Sequence, residues 1–328
     1  MTTDSPRRAV PASLHGTEPS PEAAISVRGL TKRFGSFTAV DGIDFDVPRG
    51  TIVGFLGPNG SGKTTTIRML TGTSAADAGQ ALVLGEDVLA HPERIKHRIG
   101  YMSQKFALFE DMTVDENLRF YAGVYDLSPQ RFAQQREYVL QMADLRGREN
   151  ELTANLSVGW RQRLALGTAT IHDPELLFLD EPTGGVDPVA RRQFWDLLYE
   201  LAGRGVTLFV TTHYMDEASH CNQLAFIYRG GLIAEGTPAA IRHDLLTERV
   251  LEVRVTDVDG ALTWLESAPG VEEAYLSGAS LHAVVDPDAV AGLEERLRTA
   301  GFGDAAVRLV EPTLEDVFVN LVARAEQA

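Results

Sequence analysis

The sequence predicts an α/β domain on a largely parallel sheet, followed by a small α+β domain. Short, continuously apolar segments, typical of buried parallel strands, alternate with helical patterns as far as Thr247. A helical region at about 105–160 interrupts this alternation, and beyond Thr247 the order is strand, helix, strand, strand, helix, strand. We expect a disordered tail at 1–22, a first domain at 23–247 and a second, ferredoxin-like domain at 248–328.

The first elements lie in GIDFDVPRGTIVGFLG (Gly42–Gly57). Apolar and acidic residues alternate in its first half, which predicts a half-exposed strand. The Pro48-Arg49-Gly50 segment predicts a turn, and TIVGFL predicts a fully buried strand. A Gly-rich loop and a helical pattern to about Leu70 complete a strand–loop–helix unit.

Two further buried strands are predicted at LLFLD (Leu176–Asp180) and VTLFVTT (Val206–Thr212), separated by a helix at 188–202. Between Phe106 and Gly159 the pattern is helical throughout. Its helices have N-terminal caps at Thr113, with Glu116 three residues on, and at Ser128, before a proline. We interpret this region as a helical insertion into the α/β core.

The C-terminal pattern begins with the alternating strand VLEVRV and the helix GALTWLESAP. A hairpin is predicted around Ser277-Gly278, followed by the helix DAVAGLEERLRTAG and the strand DAAVRLV. A capped helix starts at Thr313 and contains TLEDVFVNLVARA.

Composition restricts the function classes. The formal net charge is −16 and no face dense in Lys and Arg is visible, which argues against a nucleic-acid partner. No run reaches the roughly 18 apolar residues of a membrane-spanning helix, so a membrane role would require a partner. The N-terminal segment lacks the apolar core of a signal peptide. The single cysteine, Cys221, is expected to be a buried bystander in a reducing cytoplasm.

The loop after the buried strand reads GPNGSGKTT and satisfies the pattern G-x-x-x-x-G-K-[ST]. Such a loop turns backbone N–H groups inward around a polyphosphate, and the following helix N-terminus adds partial positive charge. We expect Lys63 to reach the outer phosphates and Thr64 to bind Mg²⁺. The predicted nucleotide contacts here are Gly57, Pro58, Asn59, Gly60, Ser61, Gly62, Lys63, Thr64 and Thr65.

Two acids end the predicted strand LLFLDE. Asp180 is placed beside the phosphate loop, where a carboxylate holds Mg²⁺ in P-loop hydrolases. Glu181 follows at the carboxyl end of the strand, in position to act as general base on the attacking water.

The motifs together resemble the ATP-binding cassette (ABC) family over nearly all of residues 25–237. Gln104 in GYMSQ is similar to the Q-loop glutamine, which senses Mg²⁺ and the attacking water. Asp187 in GGVDP is similar to the D-loop acid, and His213 in VTTHYMDEA to the switch histidine that contacts the γ-phosphate. Phe34 in LTKRFG is similar to the aromatic residue that stacks on adenine.

LSVGWRQR (Leu156–Arg163) resembles the family signature, commonly LSGGQxQR. The resemblance implies that Ser157 and Gly159 contact an ATP held by another cassette. Val158 replaces a glycine and is tolerated if its φ is negative. Trp160 replaces a glutamine, and we expect its ring to pack against the helical insertion or the partner cassette.

The resemblance implies an ATPase that works with Mg²⁺ in head-to-tail pairs, as a homodimer or with a second ATPase chain. The partner would be a separate membrane permease, contacted through residues 104–115, including Phe106, Phe109 and Met112. EPTLEDVFVNL (Glu311–Leu321) resembles the ending of single-cassette ATPases of drug, lipid or polysaccharide exporters. These implications place the protein on the cytoplasmic face of the cell membrane.

Three other functions of the same superfamily are alternatives to transport. A chromosome-maintenance ATPase would carry hundreds of heptad-patterned residues between phosphate loop and signature, and this chain is too short for them. A ribosome-associated factor would normally have two cassettes and basic surfaces. A regulatory protein that binds ATP without turning it over is supported only by the unusual signature. The transported compound and the role of the C-terminal domain are not encoded in these motifs.

Overall fold

The computed structural model of the protein describes residues 18–246 and 248–327. These residues form two compact units, one ending at Leu232 and one beginning at Ile233. The predicted domain limits at residues 22 and 247 remain predictions. Residues 1–17 of the predicted disordered tail lie outside the described part of the chain.

The secondary structure of the first unit follows the predicted alternation. Its strands are β1 (Ile25–Phe34), β2 (Phe37–Val47), β3 (Ile52–Leu56), β4 (Ala78–Val83), β5 (Glu86–Asp87), β6 (Ile99–Met102), β7 (Leu176–Asp180), β8 (Thr207–Thr212), β9 (Gln223–Tyr228) and β10 (Gly231–Gly236), which runs across the division between the units. Its α-helices are α1 (Lys63–Leu70), α2 (Val114–Val124), α3 (Pro129–Met142), α4 (Val158–Thr170) and α5 (Pro188–Gly203).

Two sheets form the first unit. The main sheet has the order β10-β9-β3-β8-β7-β6, and β9, β3, β8, β7 and β6 run parallel. The carboxyl ends of parallel strands meet at one edge, so the segments after β3, β7 and β8 lie side by side. The second sheet, β2-β1-β4-β5, is antiparallel. The sequence patterns did not assign β1 or β4.

Buried phenylalanines join the two sheets. Phe45 on β2 lies 5.6 Å from Phe55 on β3, between ring centroids, and Phe55 lies 5.2 Å from Phe209 on β8. Phe178 on β7 packs edge-on against Phe209 at 5.7 Å. The three parallel strands that carry the predicted site therefore share one rigid aromatic core.

The helical insertion is less continuous than predicted. Helices α2 and α3 begin at the predicted caps, since Thr113 and Glu116 form a reciprocal capping box and Ser128 caps α3. Residues 105–113 and 143–152 contain no α-helix. Asp126 and Asp144, which follow the ends of α2 and α3, adopt positive φ angles and so end the helical path. The prediction of an unbroken helical pattern was wrong.

The second unit contains the predicted ferredoxin-like arrangement. Its strands are β11 (Arg249–Arg254), β12 (Val271–Ser277), β13 (Ser280–Val285) and β14 (Ala306–Val310), and its helices are α6 (Pro238–Asp244), α7 (Val258–Glu266), α8 (Leu293–Thr299) and α9 (Leu314–Gln327). The sheet order β12-β13-β11-β14 is antiparallel throughout, which confirms the predicted fold. Helix α8 is shorter than predicted because Gly292, at φ +89°, interrupts the helical path.

Helix α9 is held to the sheet by a buried carboxylate. Asp316 is fully buried, accepts a hydrogen bond from the Tyr275 hydroxyl and lies 2.6 Å from Nδ1 of His282. Its second oxygen accepts from the backbone N–H and the hydroxyl of Thr313, at 2.6 and 2.7 Å, which confirms the predicted cap. The segment TLEDVF thus has a structural role within this unit.

Among the residues that the structure describes, no helix has both the length and the apolar composition needed to cross a membrane.

Candidate functional site

The loop between β3 and α1 can hold only glycine at two key positions. A Cβ atom on Gly57 would lie 2.2 Å from the carbonyl oxygen of Ile227. Gly62 has φ +112°, and a Cβ atom there would meet the carbonyl oxygen of Ala39 at 2.5 Å. These close approaches press the loop against β9 and β2. The loop backbone is therefore fixed by its surroundings before any ligand arrives.

Lys63 opens α1 and is buried, with its side chain 4% exposed. Its Nζ donates to the carbonyl oxygens of Gly57 and Pro58, at 2.7 and 3.1 Å, and lies 3.1 Å from Oε1 of Glu181. The ammonium group thus has three partners, which is what a buried charge requires. Its charge lies within the curve of the Gly-rich loop.

Glu181 is the point on which the predicted catalytic residues converge. Besides Lys63, Gln104 donates its Nε2 hydrogen to Oε2 of Glu181 at 2.9 Å. Nδ1 of His213 lies 3.2 Å from the same oxygen, within ion-pair distance but without hydrogen-bond geometry. The structure therefore brings these four residues together, although they come from three loops and the start of α1.

The backbone at Glu181 is unusual. Its φ is +48°, in the left-handed region that non-glycine residues rarely adopt. Its N–H points to both the carbonyl oxygen and the hydroxyl of Thr211 on β8, at 3.1 and 3.0 Å. The sequence prediction did not include Thr211. Its position at the carboxyl end of a strand two residues before His213 was the available signal.

Asp180 and Thr64 supply neighbouring oxygen atoms beside the loop. Thr64 Oγ1 donates to Oδ1 of Asp180 at 3.2 Å, and the Thr211 hydroxyl donates to the same oxygen at 2.8 Å. Burial, and then the charge of Asp180, raise the pKa of Tyr101 to about 12, so this neighbouring hydroxyl stays protonated. No cluster of three His, Cys, Asp or Glu side chains suited to a metal occurs in the described residues. A cation here would depend on hydroxyl and phosphate oxygens as well.

Phe34 ends β1 and presents an open aromatic face. Its side chain is 54% exposed, with Nζ of Lys32 lying 5.5 Å from the ring centroid. Phe37, its partner across the β1–β2 turn, is 61% exposed and was missed by the sequence reasoning. Both phenylalanines come shortly before Ala39 in the sequence. The carbonyl oxygen of Ala39 is the atom that a Cβ on Gly62 of the phosphate loop would meet. The turn therefore offers an aromatic platform close to the loop.

The signature segment opens α4. Ser157 is the exposed N-cap, and its hydroxyl accepts from the backbone N–H of Trp160 at 3.5 Å. Val158 is the first helical residue, is 40% exposed and does not have a positive φ, so the condition for tolerating its side chain is met. Gly159 lies close to α5, where a Cβ atom would meet Ala190 Cβ at 3.4 Å.

Trp160 packs within its own chain. Its ring lies beneath the guanidinium carbons of Arg148 and Arg163, at 4.3 and 5.2 Å from the ring centroid. Arg148 belongs to the helical insertion, so this packing agrees with the expectation for the ring. The tryptophan thus stabilises the start of α4 through two cation–π contacts.

Asp187 caps α5, and its Oδ1 accepts from the N–H groups of Val189 and Ala190, each at 3.0 Å. Like Ser157 it is exposed and marks a helix N-terminus. In the described part of the chain no hydrogen bond or ion pair joins Ser157, Gly159 or Asp187 to the phosphate loop. The hydrogen bonds of Ser157 and Asp187 described here are helix caps, not contacts with the group around Glu181.

The predicted permease-contact segment carries exposed aromatic residues. Phe109 packs edge-on against Phe120 of α2, with ring centroids 4.6 Å apart, and the two rings are 38% and 42% exposed. Beside them is a shallow groove of about 370 Å³ lined by Asp111, Met112, Glu116, Arg119 and Phe120. Phe106 has φ +33°, so the loop that connects Gln104 to this groove is conformationally strained.

Comparisons with known proteins were made for the whole chain. The family model described as ABC transporter matches residues 40–184. The probable multidrug ABC transporter ATP-binding protein YbhF of Escherichia coli (strain K12) is 46% identical over 241 residues, which is 72% of this chain but 41% of that protein. The chain thus matches less than half the length of this relative.

Other relatives are similar over nearly their full length. The Nod factor export ATP-binding protein I of Ralstonia nicotianae is 38% identical over 92% of this chain and 94% of its own length. A crystal structure of an ABC transporter ATP-binding cassette in its ADP conformation is similar with a TM-score of 0.59 and 26% identity. That likeness covers 66% of this chain and 91% of the solved one.

Proposed function

The chain belongs to the ABC transporter family, and we propose that it binds and hydrolyses ATP to drive a separate membrane permease in the direction of export. The observation that carries the proposed chemistry is the convergence of Lys63, Gln104 and His213 on Glu181, at 3.1, 2.9 and 3.2 Å. The names of the relatives above, which refer to multidrug transport and Nod factor export, support transport over a soluble or regulatory role.

The phosphate loop fits a nucleotide polyphosphate. Ser61 is 3% exposed and its hydroxyl has no hydrogen-bond partner among the described residues. A buried hydroxyl without a partner is costly, and a phosphate oxygen seated in the loop would satisfy it. Lys63 already lies in the loop, where phosphate oxygens would compete with its carbonyl and carboxylate partners. Phe34 would stack on the base from the β1–β2 turn.

Thr64, Asp180 and Gln104 would hold Mg²⁺, because hydroxyl, carboxylate and amide oxygens are its preferred protein ligands. The bound ion would neutralise charge on the transferring phosphoryl group. Thr211 would orient the Asp180 carboxylate, since its hydroxyl already donates to Oδ1.

Glu181 would act as the general base. Gln104 and His213 face the same carboxylate oxygen, so they can hold its orientation and that of a water between them. The N–H of Glu181 is fixed by Thr211, which keeps the carboxylate directed to the loop edge. Oε2 of Glu181 could then accept a proton from a water molecule positioned beside it.

The site would be completed by another cassette. Ser157 and Asp187 are exposed caps of two helices whose starts approach each other at Gly159 and Ala190. A surface with two helix N-termini attracts anions and suits the γ-phosphate of an ATP held by a second chain. That second chain would be a copy of this protein or another ATPase.

The permease would dock at the groove beside Phe109 and Phe120. Exposed apolar rings rimmed by Asp111, Glu116 and Arg119 suit an amphipathic helix. The groove connects along the chain to Gln104, which touches Glu181. Nucleotide state and permease position would be linked through this segment. The protein would then lie on the cytoplasmic face of the membrane.

Two measurements test the proposal. Purified protein should hydrolyse ATP only with Mg²⁺, and Lys63→Ala should lower turnover on the order of 100-fold by removing a charged phosphate contact. Affinity capture from membranes should recover a multispanning protein, and Phe109→Ser with Phe120→Ser should release it while hydrolysis persists. Recovery of ribosomes instead, or hydrolysis unaffected by Lys63→Ala, would overturn the proposal.

A further inference from the structure

The turn that carries Glu181 is held from three different elements. We define this turn as residues 181–184, which follow β7. Thr211 of β8 fixes the N–H of Glu181, as described above. One residue on, the buried carbonyl oxygen of Pro182 accepts a hydrogen bond from Nε2 of Gln162 at 2.7 Å. Gln162 lies on α4, in the signature segment, and is 1% exposed.

The next residue is held by a buried acid. The Thr183 hydroxyl donates to Oε1 of Glu217 at 2.5 Å, and both residues are 1% exposed. Glu217 lies in the 3-10 turn Met215–His220, which begins two residues after His213. The second oxygen of Glu217 has no hydrogen-bond partner among the residues described. A carboxylate at this depth is costly unless it has a specific role or countercharge.

The arginine nearest to the Glu217 carboxylate, Arg191, does not hydrogen-bond to it. Nε of Arg191, on α5, lies 3.6 Å from Oε1 of Glu217 and makes no hydrogen bond with any residue that the structure describes. The guanidinium instead bonds Asp216 at 3.3 Å and lies 4.1 Å from the ring centroid of Tyr214. The hydrogen bond from Thr183 to Glu217, at 2.5 Å, is thus much shorter than the 3.6 Å contact between Glu217 and Arg191. The ion pair alone does not explain why an acid is buried here.

We propose that Gln162 and Glu217 are positioning residues that hold the turn 181–184, and through it the carboxylate of Glu181. A non-glycine residue at φ +48° persists only where neighbouring structure maintains it. The two bonds hold the two residues that follow Glu181, each from a different element. They also connect this turn to the signature helix and to the segment after His213. The inference rests on the proposed ATP hydrolysis.

The test separates positioning from stability. Gln162→Met keeps the volume and loses the donor, and Thr183→Val keeps the shape and loses the hydroxyl. Both should lower kcat at least tenfold and leave KM for ATP within threefold, because the phosphate loop is untouched. Both should also accumulate an ATP-bound dimer on a sizing column, since binding proceeds and hydrolysis stalls.

Matched controls are available. Thr183→Ser retains the hydroxyl and should restore turnover, while Gln193→Met makes the same exchange at an exposed glutamine whose side chain bonds Arg163. If one test variant fails to fold, as judged by circular dichroism, the other still decides. Turnover within twofold of wild type, or loss of ATP binding in parallel with kcat, would overturn the positioning role. A wild-type protein without hydrolysis would instead overturn the proposed function, and this inference with it.

Discussion

At the scale of single residues, the phosphate loop holds a buried hydroxyl and a buried lysine whose partners would change when a polyphosphate binds. Among the described residues, the buried Ser61 hydroxyl has no hydrogen-bond partner, and Lys63 contacts two loop carbonyl oxygens and Glu181 where phosphates would bind. Both side chains lie in a loop whose backbone is fixed by close contacts at Gly57 and Gly62. Such a loop is preorganised for an anion. Binding of a phosphate would remove the free-energy cost of leaving the buried Ser61 hydroxyl unsatisfied.

Ser61→Ala should therefore have opposite effects on stability and binding. Removing an unsatisfied hydroxyl should leave the free energy of unfolding of the ATP-free protein unchanged or raise it by up to about 1 kcal/mol. The dissociation constant for ATP should rise about tenfold, because a phosphate contact is lost. Urea unfolding and calorimetric titration measure the two effects. Thr66→Val is the control, since its buried hydroxyl already bonds Gly62 and its loss should destabilise the protein.

Trp160 is predicted to act on stability rather than on chemistry. Trp160→Ala removes contacts with Arg148 and Arg163 and should lower the free energy of unfolding by about 1–2 kcal/mol. Trp160→Phe retains an aromatic face and should cost less. KM for ATP should stay unchanged in both. A change of KM with unaltered stability would show that the ring touches nucleotide instead.

At the scale of elements, the second unit depends on how α9 is attached. Asp316 receives hydrogen bonds from Tyr275 and from the N–H and hydroxyl of Thr313, and pairs with His282. These groups come from β12, β13 and the start of α9. This buried carboxylate thus ties the start of α9 to β12 and β13.

Asp316→Asn should loosen this helix. Asparagine has one side-chain oxygen, and its NH2 group would face donors that now bond the second oxygen, so we expect the unit to lose about 2–4 kcal/mol of stability. Limited proteolysis should then cut near α9 first, while ATP binding by the first unit persists. Asp304→Asn, at an exposed carboxylate that accepts from Thr256, is a matched control with little expected effect. Unchanged protease resistance in Asp316→Asn would contradict the anchoring role.

Sequence patterns predicted elements where the local signal was strong. Apolar runs located β3, β7 and β8, and caps located the starts of α2 and α3. The loops of the helical insertion were missed because positive φ at Asp126 and Asp144 leaves no periodic signal. Residues Thr211, Gln162 and Glu217 were missed as site neighbours for another reason. Their roles depend on pairings between distant segments, which no local pattern encodes.

At the scale of the whole molecule, the proposed function would give the chain one half of each of two sites. The phosphate loop, Gln104, Glu181 and His213 form a convergent group, whereas Ser157 and Asp187 face outward at helix N-termini. Turnover would thus require a second cassette. In the proposed mechanism, Glu181 activates water in a site that such pairing completes.

The most direct test is sizing chromatography of Glu181→Gln with ATP and Mg²⁺, alongside its rate of hydrolysis. The amide preserves the shape and removes the base, so hydrolysis should fall on the order of 100- to 10,000-fold. ATP should remain bound, and the protein should elute as a stable dimer that Ser157→Arg in the same chain abolishes. A Glu181→Gln protein that hydrolyses ATP at the wild-type rate, or stays monomeric with ATP bound, would contradict the account.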